Sequence, residues 1–373
     1  MRDLLVTAHT PLLGSGRALR TYGLARALAA DEGLDLLYKR FEGDAPDAAF
    51  RAIPGVRLHE ALASRGPRRA LAYTVARLRG VPADIARGVS PELVTQAARL
   101  AAVPGRGRVI ADGPVAAATL AGLARRRPVI YNAHNFESGF RHELAGAGPG
   151  TRESLRAFER GLLEHASESW MVSEADLAAA HELCPATRLR LVPNVVDVEA
   201  IVPVSPDPRR CRAAFVANFA YPPNRDGLRF LLDEIMPRVW VELPDARLAL
   251  VGAGLQLPPS TDARIEALGF VDSLAALYAS VSCVVVPLLQ GGGTPLKLIE
   301  ALAYGLPVVA TARAAAALAL VDGEHCLIAD GPDAFSTALV AVLRDGAPEL
   351  GARGRELAHE RYSIEALVRL LHG

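Results

Sequence analysis

The stretch from 281 to 311 constrains the fold more than any other part of this sequence. Its first part, Val281–Leu288, is a nearly continuous apolar run rich in β-branched residues, which is typical of a strand buried on both faces of a parallel sheet. A glycine-rich loop follows at Gln290–Gly293, then a predicted helix from Leu296 to about Tyr304, and a second apolar strand at Leu306–Ala310. This order predicts a strand-loop-helix-strand unit of an α/β protein with a parallel sheet.

The loop and the start of the helix together predict a site for an anion. The three glycines at 291–293 have no Cβ atom, so the backbone can adopt φ > 0 and approach a ligand closely. Thr294 suits the N-cap and Pro295 the first helical position, and Gly305 suits the left-handed position after the last turn. Unpaired N–H groups and the helix dipole at such a start favour an anion such as a diphosphate.

Two charged residues lie on this predicted helix. Lys297 and Glu300 are three positions apart, so they share a helix face just beyond the glycine loop. A carboxylate there suits the two hydroxyls of a ribose, and a cation suits the phosphates attached to it. The alternative is a local Lys-Glu pair on a solvated face behind an ordinary glycine turn.

This stretch resembles the GT-B glycosyltransferases, and specifically the large retaining family 4, also called glycosyltransferase group 1. The family's donor signature is a Glu-x7-Glu pair ending in E-A-x-x-x-G-x-P-V-V, and residues 300–309 read EALAYGLPVV. The position of the first glutamate is occupied by Gly292, as in subgroups of the family that carry a Gly-Gly-Gly-Thr loop. Weaker matches follow in the family's order, among them the Val192-Pro193-Asn194 segment and the Leu268–Val271 segment.

The resemblance implies an α/β fold of the GT-B type, with two Rossmann-like domains whose parallel sheets face each other across a cleft. It also implies a transferase that moves a hexose-type sugar from a nucleoside diphosphate sugar to an acceptor hydroxyl. Retention of configuration and independence from metal ions come with the family, so the expected co-substrate is the nucleotide sugar and no cofactor or metal is expected.

The resemblance also implies which residues bind the donor. Many family members grip the diphosphate with an arginine and a lysine, but the matching positions here are Asn218 and Pro223, so Arg225 or Lys297 is expected to substitute. Backbone groups of the Gly269–Val271 segment are expected to contact the nucleobase. The predicted donor-binding residues are Glu300, Lys297, Gly292, Gly293, Thr294, Pro295, Asn218, Arg225, Phe270 and Val271.

In the first half of the chain, predicted strands alternate with helical stretches, which indicates another parallel sheet. The predicted strands are Leu4–Ala8, Leu34–Tyr38, Val56–Glu60, Val109–Ala111, Val129–Asn132, Ser169–Val172 and Leu189–Val192. The loop after the first strand carries Gly14, Ser15, Gly16 and Arg17, which are predicted to hold a phosphate or an acceptor hydroxyl. The alternative is a plain strand-to-helix connection with its arginines in solvent.

The candidate catalytic residues are His134 and Asn135. They follow the fifth predicted strand, and open α/β sheets bind ligands at the carboxyl ends of their strands. His134 is expected to hydrogen-bond a sugar hydroxyl, with Asn135 as a further donor or acceptor. The alternative candidates are His142, Glu143 and His165, and His134 could instead be a helix-capping or core residue.

The sequence predicts two domains. The first is expected to span 1–195 on the acceptor side, and the second 196–356 on the donor side. The proline-rich segment at 203–210 has no apolar period and is predicted to be the linker. A C-terminal helix at about 357–373 is expected to pack back on the first domain, as it does in GT-B proteins.

Composition narrows the setting and the partners. Lys+Arg and Asp+Glu both number 41, so the formal net charge is zero and nucleic acid is not an expected partner. Four cysteines without a CxxC pair, no long apolar run and no apolar leader after Met1 predict a cytoplasmic protein. The basic segment Arg65–Arg79 predicts either peripheral membrane contact or a solvated helix face.

Two other functions stay open at this stage. One is a GT-B sugar-nucleotide epimerase, although such enzymes use several carboxylates and histidines around the sugar and this sequence retains one signature carboxylate. The other is a non-catalytic nucleotide-sugar-binding partner subunit, which would fit the loss of the first signature glutamate. The donor base, the sugar, the acceptor and the oligomeric state do not follow from the sequence.

Overall fold

The computed structural model describes residues 1–63, 66–140, 149–205, 208–258, 262–271, 273–291 and 294–373. The chain divides into two compact units, one formed by Met1–Asn194 with Leu367–Gly373 and the other by Val195–Ala366. The sequence placed the return to the first domain near residue 357, whereas the structure has it at Leu367. The reason is local packing, because the Tyr362 hydroxyl donates a hydrogen bond to the Leu318 carbonyl within the second unit, at 2.7 Å.

The described part of the first unit contains a seven-stranded parallel sheet. Its strands are β1 (Asp3–Thr7), β2 (Leu34–Arg40), β3 (Val56–Leu62), β4 (Val109–Asp112), β5 (Ile130–Asn132), β6 (Glu168–Met171) and β7 (Leu189–Leu191). They are ordered β3-β2-β1-β4-β5-β6-β7, so the strand order reverses between β1 and β4. All five residues of β1 are buried, as expected for a strand with helices over both sheet faces.

Helices connect these strands. They are α1 (Gly16–Ala29), α2 (Ala48–Arg51), α3 (Pro67–Leu78), α4 (Ala83–Ala86), α5 (Pro91–Ala101), α6 (Gly113–Ala124), α7 (Glu137–Phe140), α8 (Pro149–His165) and α9 (Glu174–Leu183). Helices α5 and α6 bury Leu93, Ala97 and Leu120 against the sheet residues Val6 and Ala111. This burial of apolar area fixes where the carboxyl ends of β1, β4 and β5 meet.

The described part of the second unit contains a six-stranded parallel sheet ordered β10-β9-β8-β11-β12-β13. Its strands are β8 (Arg212–Val216), β9 (Arg247–Val251), β10 (Ile265–Gly269), β11 (Cys283–Val286), β12 (Val308–Ala310) and β13 (Leu327–Ile328). The order reverses between β8 and β11. Strand β10 ends at Gly269, which leaves Phe270 and Val271 beyond its end.

The helices of the second unit are α10 (Pro222–Arg229), α11 (Met236–Glu242), α12 (Leu274–Tyr278), α13 (Leu296–Ala303), α14 (Ala312–Ala316), α15 (Pro332–Asp345) and α16 (Pro348–Tyr362), and α17 (Ile364–His372) ends the chain. Short 3-10 helices lie at Val198–Ala200 and Pro208–Arg210, and a π-helical segment at Phe230–Ile235 joins α10 to α11. Helix α10 begins with Pro222 and Pro223, since proline suits the first turn of a helix. The π-helical segment ends just before Pro237, which has no N–H group to donate.

Candidate functional site

The loops after β8 and β11 lie at the point where the strand order of the second unit reverses. In open α/β sheets this point is where ligands bind. The loop after β11 is held on several sides. Arg313 donates from Nε and Nη2 to the Gly291 carbonyl at 2.9 and 2.6 Å, Thr311 Oγ1 donates to the Leu288 carbonyl at 2.5 Å, and the Gln290 amide donates to Asp226.

The glycine loop has the backbone that the sequence predicts where the structure describes it. Gly291 has φ +122, a conformation that favours glycine. A Cβ atom there would lie 3.5 Å from the Cβ of Pro223, so Gly291 lies close to the first turn of α10. Gly292 and Gly293 lie outside the described residues, and their predicted role stays a prediction.

The start of α13 differs from the prediction by one residue. Pro295 occupies the N-cap with φ -71 and ψ 97, and the helix begins at Leu296. Thr294 is buried and precedes the cap, so its predicted capping role was wrong. The Pro295 carbonyl accepts the first helical hydrogen bonds, from Leu298 N at 2.9 Å and Ile299 N at 3.4 Å. The predicted end is confirmed, because Gly305 has φ +76 and donates to the Leu302 carbonyl.

Lys297 and Glu300 of α13 lie in a poorly hydrated environment. Burial lowers the pKa of Lys297 to about 8, although the Glu300 charge opposes this shift. Burial raises the pKa of Glu300 to about 7, and the Lys297 charge opposes that shift in turn. Both groups are therefore poised near neutral pH, as is common where buried charges await a ligand.

Beside Glu300 lies a pair of aromatic side chains, which the sequence analysis missed. The rings of Tyr278 on α12 and Tyr304 at the end of α13 are 4.8 Å apart between centroids. The Tyr278 hydroxyl is buried and has no hydrogen-bond partner among the described residues. Burial and the Glu300 charge raise the pKa of Tyr278 well above its ordinary value, so the hydroxyl stays protonated.

The other predicted donor-binding residues lie at the same sheet edge and differ in their exposure and hydrogen bonding. Asn218 is exposed, and its Oδ1 accepts a hydrogen bond from Ala220 N at 3.1 Å. Arg225 is exposed on α10, while Phe270 is 82% exposed just after β10 and Val271 is half-buried. Gly252 is architectural, since a Cβ there would lie 1.8 Å from the Ala217 carbonyl oxygen.

The first unit gathers a second polar cluster where its own strand order reverses. Asp112 ends β4 and is fully buried; its Oδ1 lies 2.8 Å from His134 Nε2 and 2.8 Å from Asn132 Nδ2. Its Oδ2 accepts from Thr21 Oγ1 at 2.6 Å. His9 follows β1, and its Nδ1 is 2.9 Å from Thr7 Oγ1.

Electrostatics couple the members of this cluster. Burial favours the neutral form of Asp112, but the charge and hydrogen bond of His134, the His9 charge and the Thr21 hydroxyl hold its pKa well below the usual range. Burial lowers the pKa of His9 to about 4, with Asp112 opposing the shift and His134 reinforcing it. Asp112 is therefore a carboxylate and His9 is neutral at pH 7.

The segment after His134 is held in place from α8. Glu159 accepts hydrogen bonds from Glu137 N at 2.5 Å and Ser138 N at 2.8 Å, at the start of α7. Burial raises the pKa of Glu159 to about 7 despite these bonds. Asn135 is half-buried between His134 and this anchor. The structure thus brings His134 into the cluster and places Asn135 next to it.

The loop before α1 has a structural explanation. Ser15 is the N-cap of α1, and its Oγ accepts from Ala18 N at 3.2 Å. Gly14 has φ +112, and Gly16 and Arg17 form the first turn of the helix. Arg20 is buried and donates to the Val192 carbonyl and to Asn194 Oδ1, each at 3.0 Å. A ligand role for this loop stays a prediction.

Of the alternative catalytic candidates, the structure describes only His165. His165 is exposed, and its Nδ1 bonds the Gly161 carbonyl one turn earlier in α8 at 2.7 Å. His142 and Glu143 lie outside the described residues. The sequence analysis missed His9 and Asp112, although each directly follows or ends an apolar strand. Their position at the carboxyl ends of predicted parallel strands could have identified them as site residues.

Several further observations bear on partners and chemistry. Helix α3 exposes Leu71 and Leu78, at 65% and 83%, together with its arginines. In the part of the chain that is described, no helix is long and apolar enough to cross a membrane. The same residues contain no group of three or more His, Cys, Asp or Glu side chains arranged to hold a metal ion. The four cysteines are free thiols.

The two parallel-sheet units define the protein as one with the GT-B fold of glycosyltransferases. Sucrose-phosphate synthase from Thermosynechococcus elongatus is similar over 100% of this chain and 97% of its own, at a TM-score of 0.76 and 20% identity. Anabaena Alr3699/HepE in complex with UDP-glucose is similar over 99% of this chain and 98% of its own, at a TM-score of 0.67 and 15% identity. These likenesses confirm the predicted fold class.

A family model matches within the second unit. Residues 210–345 match the family model described as "Glycosyl transferases group 1", which confirms the resemblance drawn from 300–309. The phosphatidyl-myo-inositol mannosyltransferase of Mycobacterium leprae (strain TN) is 35% identical over 134 residues. That alignment covers 34% of this chain and 36% of the mannosyltransferase, so the match concerns about a third of each protein.

Proposed function

We propose that the protein is a glycosyltransferase that moves a hexose-type sugar from a nucleoside diphosphate sugar to an acceptor hydroxyl. One observation carries the proposal. Gly291 and the amino end of α13, with Lys297 and Glu300, lie where the strand order of the second unit reverses, and this region falls inside the group 1 family match. That combination supplies groups for a phosphate and for a ribose at one place.

The chemistry of the donor site follows from these groups. The backbone of 291–293 and the helix dipole attract the diphosphate, and Lys297 supplies a cation whose pKa of about 8 rises when an anion binds. The Glu300 carboxylate accepts hydrogen bonds from ribose hydroxyls, which favour its charged form and lower its pKa from about 7. Donor binding therefore offsets the free-energy cost of the hydration that both charges lose.

Binding of a sugar hydroxyl is assigned to the polar cluster of the first unit. His134 hydrogen-bonds a hydroxyl of the substrate, and Asn135 adds a donor or acceptor beside it. The transfer proceeds with retention: the acceptor attacks the face that the diphosphate leaves, and the leaving phosphate takes the acceptor proton. Lys297 and the α13 amino end neutralise the departing diphosphate, so no metal ion is required.

The relatives guide the choice of substrates to test. Alr3699/HepE has been solved with UDP-glucose, and the mycobacterial relative is named a mannosyltransferase. Uridine nucleotides and hexose donors are therefore the first choices. The reaction is assigned to the cytoplasm because the four cysteines are free thiols. Exposed Leu71, Leu78 and the arginines of α3 support peripheral contact with an anionic membrane.

A thermal-shift panel of UDP, GDP, ADP and dTDP tests donor binding. A nucleotide at 100 times its Kd should add about 2.7 kcal/mol of stability, so one member should raise the melting temperature clearly. No shift with any nucleotide would overturn the proposal. A second candidate, a non-catalytic binding subunit, is favoured by Gly292 and by the uncharged Asn218 and Pro223. Binding without turnover of any nucleotide sugar would support it.

A further inference from the structure

Asp112 is engaged in a way that determines how His134 can act. It ends β4 and receives three side-chain hydrogen bonds, from His134 Nε2, Asn132 Nδ2 and Thr21 Oγ1. Its side chain is fully shielded from solvent, and that of His134 is 10% exposed. An ionised carboxylate can only accept hydrogen bonds, so every one of these partners must donate.

This constraint assigns the hydrogens of the His134 ring. Nε2 must carry a hydrogen whether the ring is neutral or protonated, because its partner is an acceptor in both states. Nδ1 is then the nitrogen that gains and loses the exchangeable proton. In the neutral ring, Nδ1 is a hydrogen-bond acceptor and Nε2 is a donor.

Gly113, the next residue along, determines where the ring can lie. It has φ +83, and a Cβ atom on it would lie 2.7 Å from His134 Cε1, 2.9 Å from Nδ1 and 3.3 Å from Nε2. These three adjacent ring atoms all lie against the glycine. Any larger residue at 113 would displace the imidazole from its contact with Asp112, in addition to straining the backbone.

We infer that Asp112 and Gly113 are positioning residues that present His134 Nδ1 as the acceptor for a substrate hydroxyl. The inference rests on the proposed function for the identity of that hydroxyl only. The charged and titratable groups that act on the cluster are His9 after β1, Arg17 and Arg20 on α1, and Asp176 on α9. His9 is neutral at pH 7, and His134 is the histidine whose ring lies within hydrogen-bond distance of Asp112.

NMR of protein labelled with ¹⁵N-histidine tests the inference without nucleotide or acceptor. Wild-type protein should show a protonated Nε2 and an unprotonated Nδ1 for the neutral His134 ring. Asp112→Asn offers a hydrogen-bond donor as well as an acceptor, so the neutral His134 ring should no longer be held to the Nε2-protonated tautomer. An Asp112→Asn variant that keeps the wild-type tautomer alone, or an Nδ1-protonated ring in the wild type, would overturn the inference.

Gly113→Ala provides the geometric arm, with Gly105→Ala as its matched control. Gly105 also has positive φ, at +71, but a Cβ there would meet nothing within 4 Å. Both variants carry similar backbone strain, and only Gly113→Ala should shift the His134 ring resonances. Equal spectra would overturn the role of Gly113, and if Gly113→Ala fails to fold, the Asp112→Asn arm still decides. Nucleotide affinity of the second unit should be unchanged, which separates this test from that of the proposed function.

Discussion

Lys297 and Glu300 occupy positions on α13 where their charged forms are poorly hydrated. Each loses hydration on α13, which lowers the pKa of the lysine to about 8 and raises that of the glutamate to about 7. Apolar side chains of similar size would pack there without this cost. Residues kept in an unfavourable state are explained best by a ligand that interacts with both charges.

Glu300→Gln should therefore fold but bind nucleotide weakly. A hydrogen bond to a charged group contributes about 1.5–3 kcal/mol, so the Kd should rise roughly tenfold or more. Isothermal titration calorimetry with the nucleotide found in the panel measures this. Glu349→Gln is the control, since Glu349 is 90% exposed in the same unit. Equal affinities in the two variants would remove Glu300 from the donor site.

His9 should make the first unit sensitive to acid. Its pKa is about 4 in the folded protein and 6.5 in the unfolded chain. Between these values the unfolded chain binds a proton that the folded state does not, so the free energy of unfolding falls as pH drops from 6.5 to 4. The full effect is about 3 kcal/mol.

His9→Gln should flatten this dependence. Denaturation followed by Trp170 fluorescence reports on the first unit once Trp240 of the second unit is replaced by phenylalanine. His165→Gln, at an exposed site, is the control and should keep the wild-type slope. A His9→Gln variant as acid-sensitive as the control would show that His9 is hydrated in the folded state.

The loop after β11 shows how one element supports another. Arg313 on α14 donates two hydrogen bonds to the Gly291 carbonyl and so holds this residue in place. Arg313→Gln should speed amide exchange in 288–291 and weaken nucleotide binding about threefold or more, with little change in melting temperature. Arg353→Gln is a matched control, because Arg353 likewise donates to two carbonyls, those of Glu324 and Gly323. Equal effects would indicate a general loss of stability.

The turn after β9 should tolerate no side chain. A Cβ on Gly252 would lie 1.8 Å from the Ala217 carbonyl oxygen, whereas one on Gly323 would meet nothing within 4 Å, and both glycines have positive φ. Gly323→Ala should cost about 1 kcal/mol from backbone strain, and Gly252→Ala about 3 kcal/mol or more from added overpacking. Denaturation followed by Trp240 fluorescence compares them. Similar losses would mean that the two turns relax equally.

For the whole molecule, the local sequence pattern predicted single helices and strands better than it predicted which elements pack against each other. The 281–311 stretch yields strand, loop, helix and strand as expected, because its apolar run and its Gly305 act locally. The cap of α13 was misplaced by one residue, since Thr294 and Pro295 both suit a helix start.

The candidate site was predictable in part for the same reason. Glu300 and Lys297 lie on one helix, so spacing alone places them together. His9 and Asp112 are far apart in sequence and meet only because β4 lies beside β1. Arg313 and Tyr278 likewise approach the donor region through tertiary packing, which no sequence spacing encodes.

Release of nucleoside diphosphate from a panel of nucleotide sugars, starting with UDP-glucose and UDP-mannose, GDP-mannose and ADP-glucose, tests the central claim most directly. Wild-type protein should release the diphosphate from at least one donor, by transfer or slow hydrolysis, with and without EDTA. Glu300→Gln should be at least tenfold slower at subsaturating donor. The account is contradicted if no donor is consumed faster by the wild type than by Glu300→Gln.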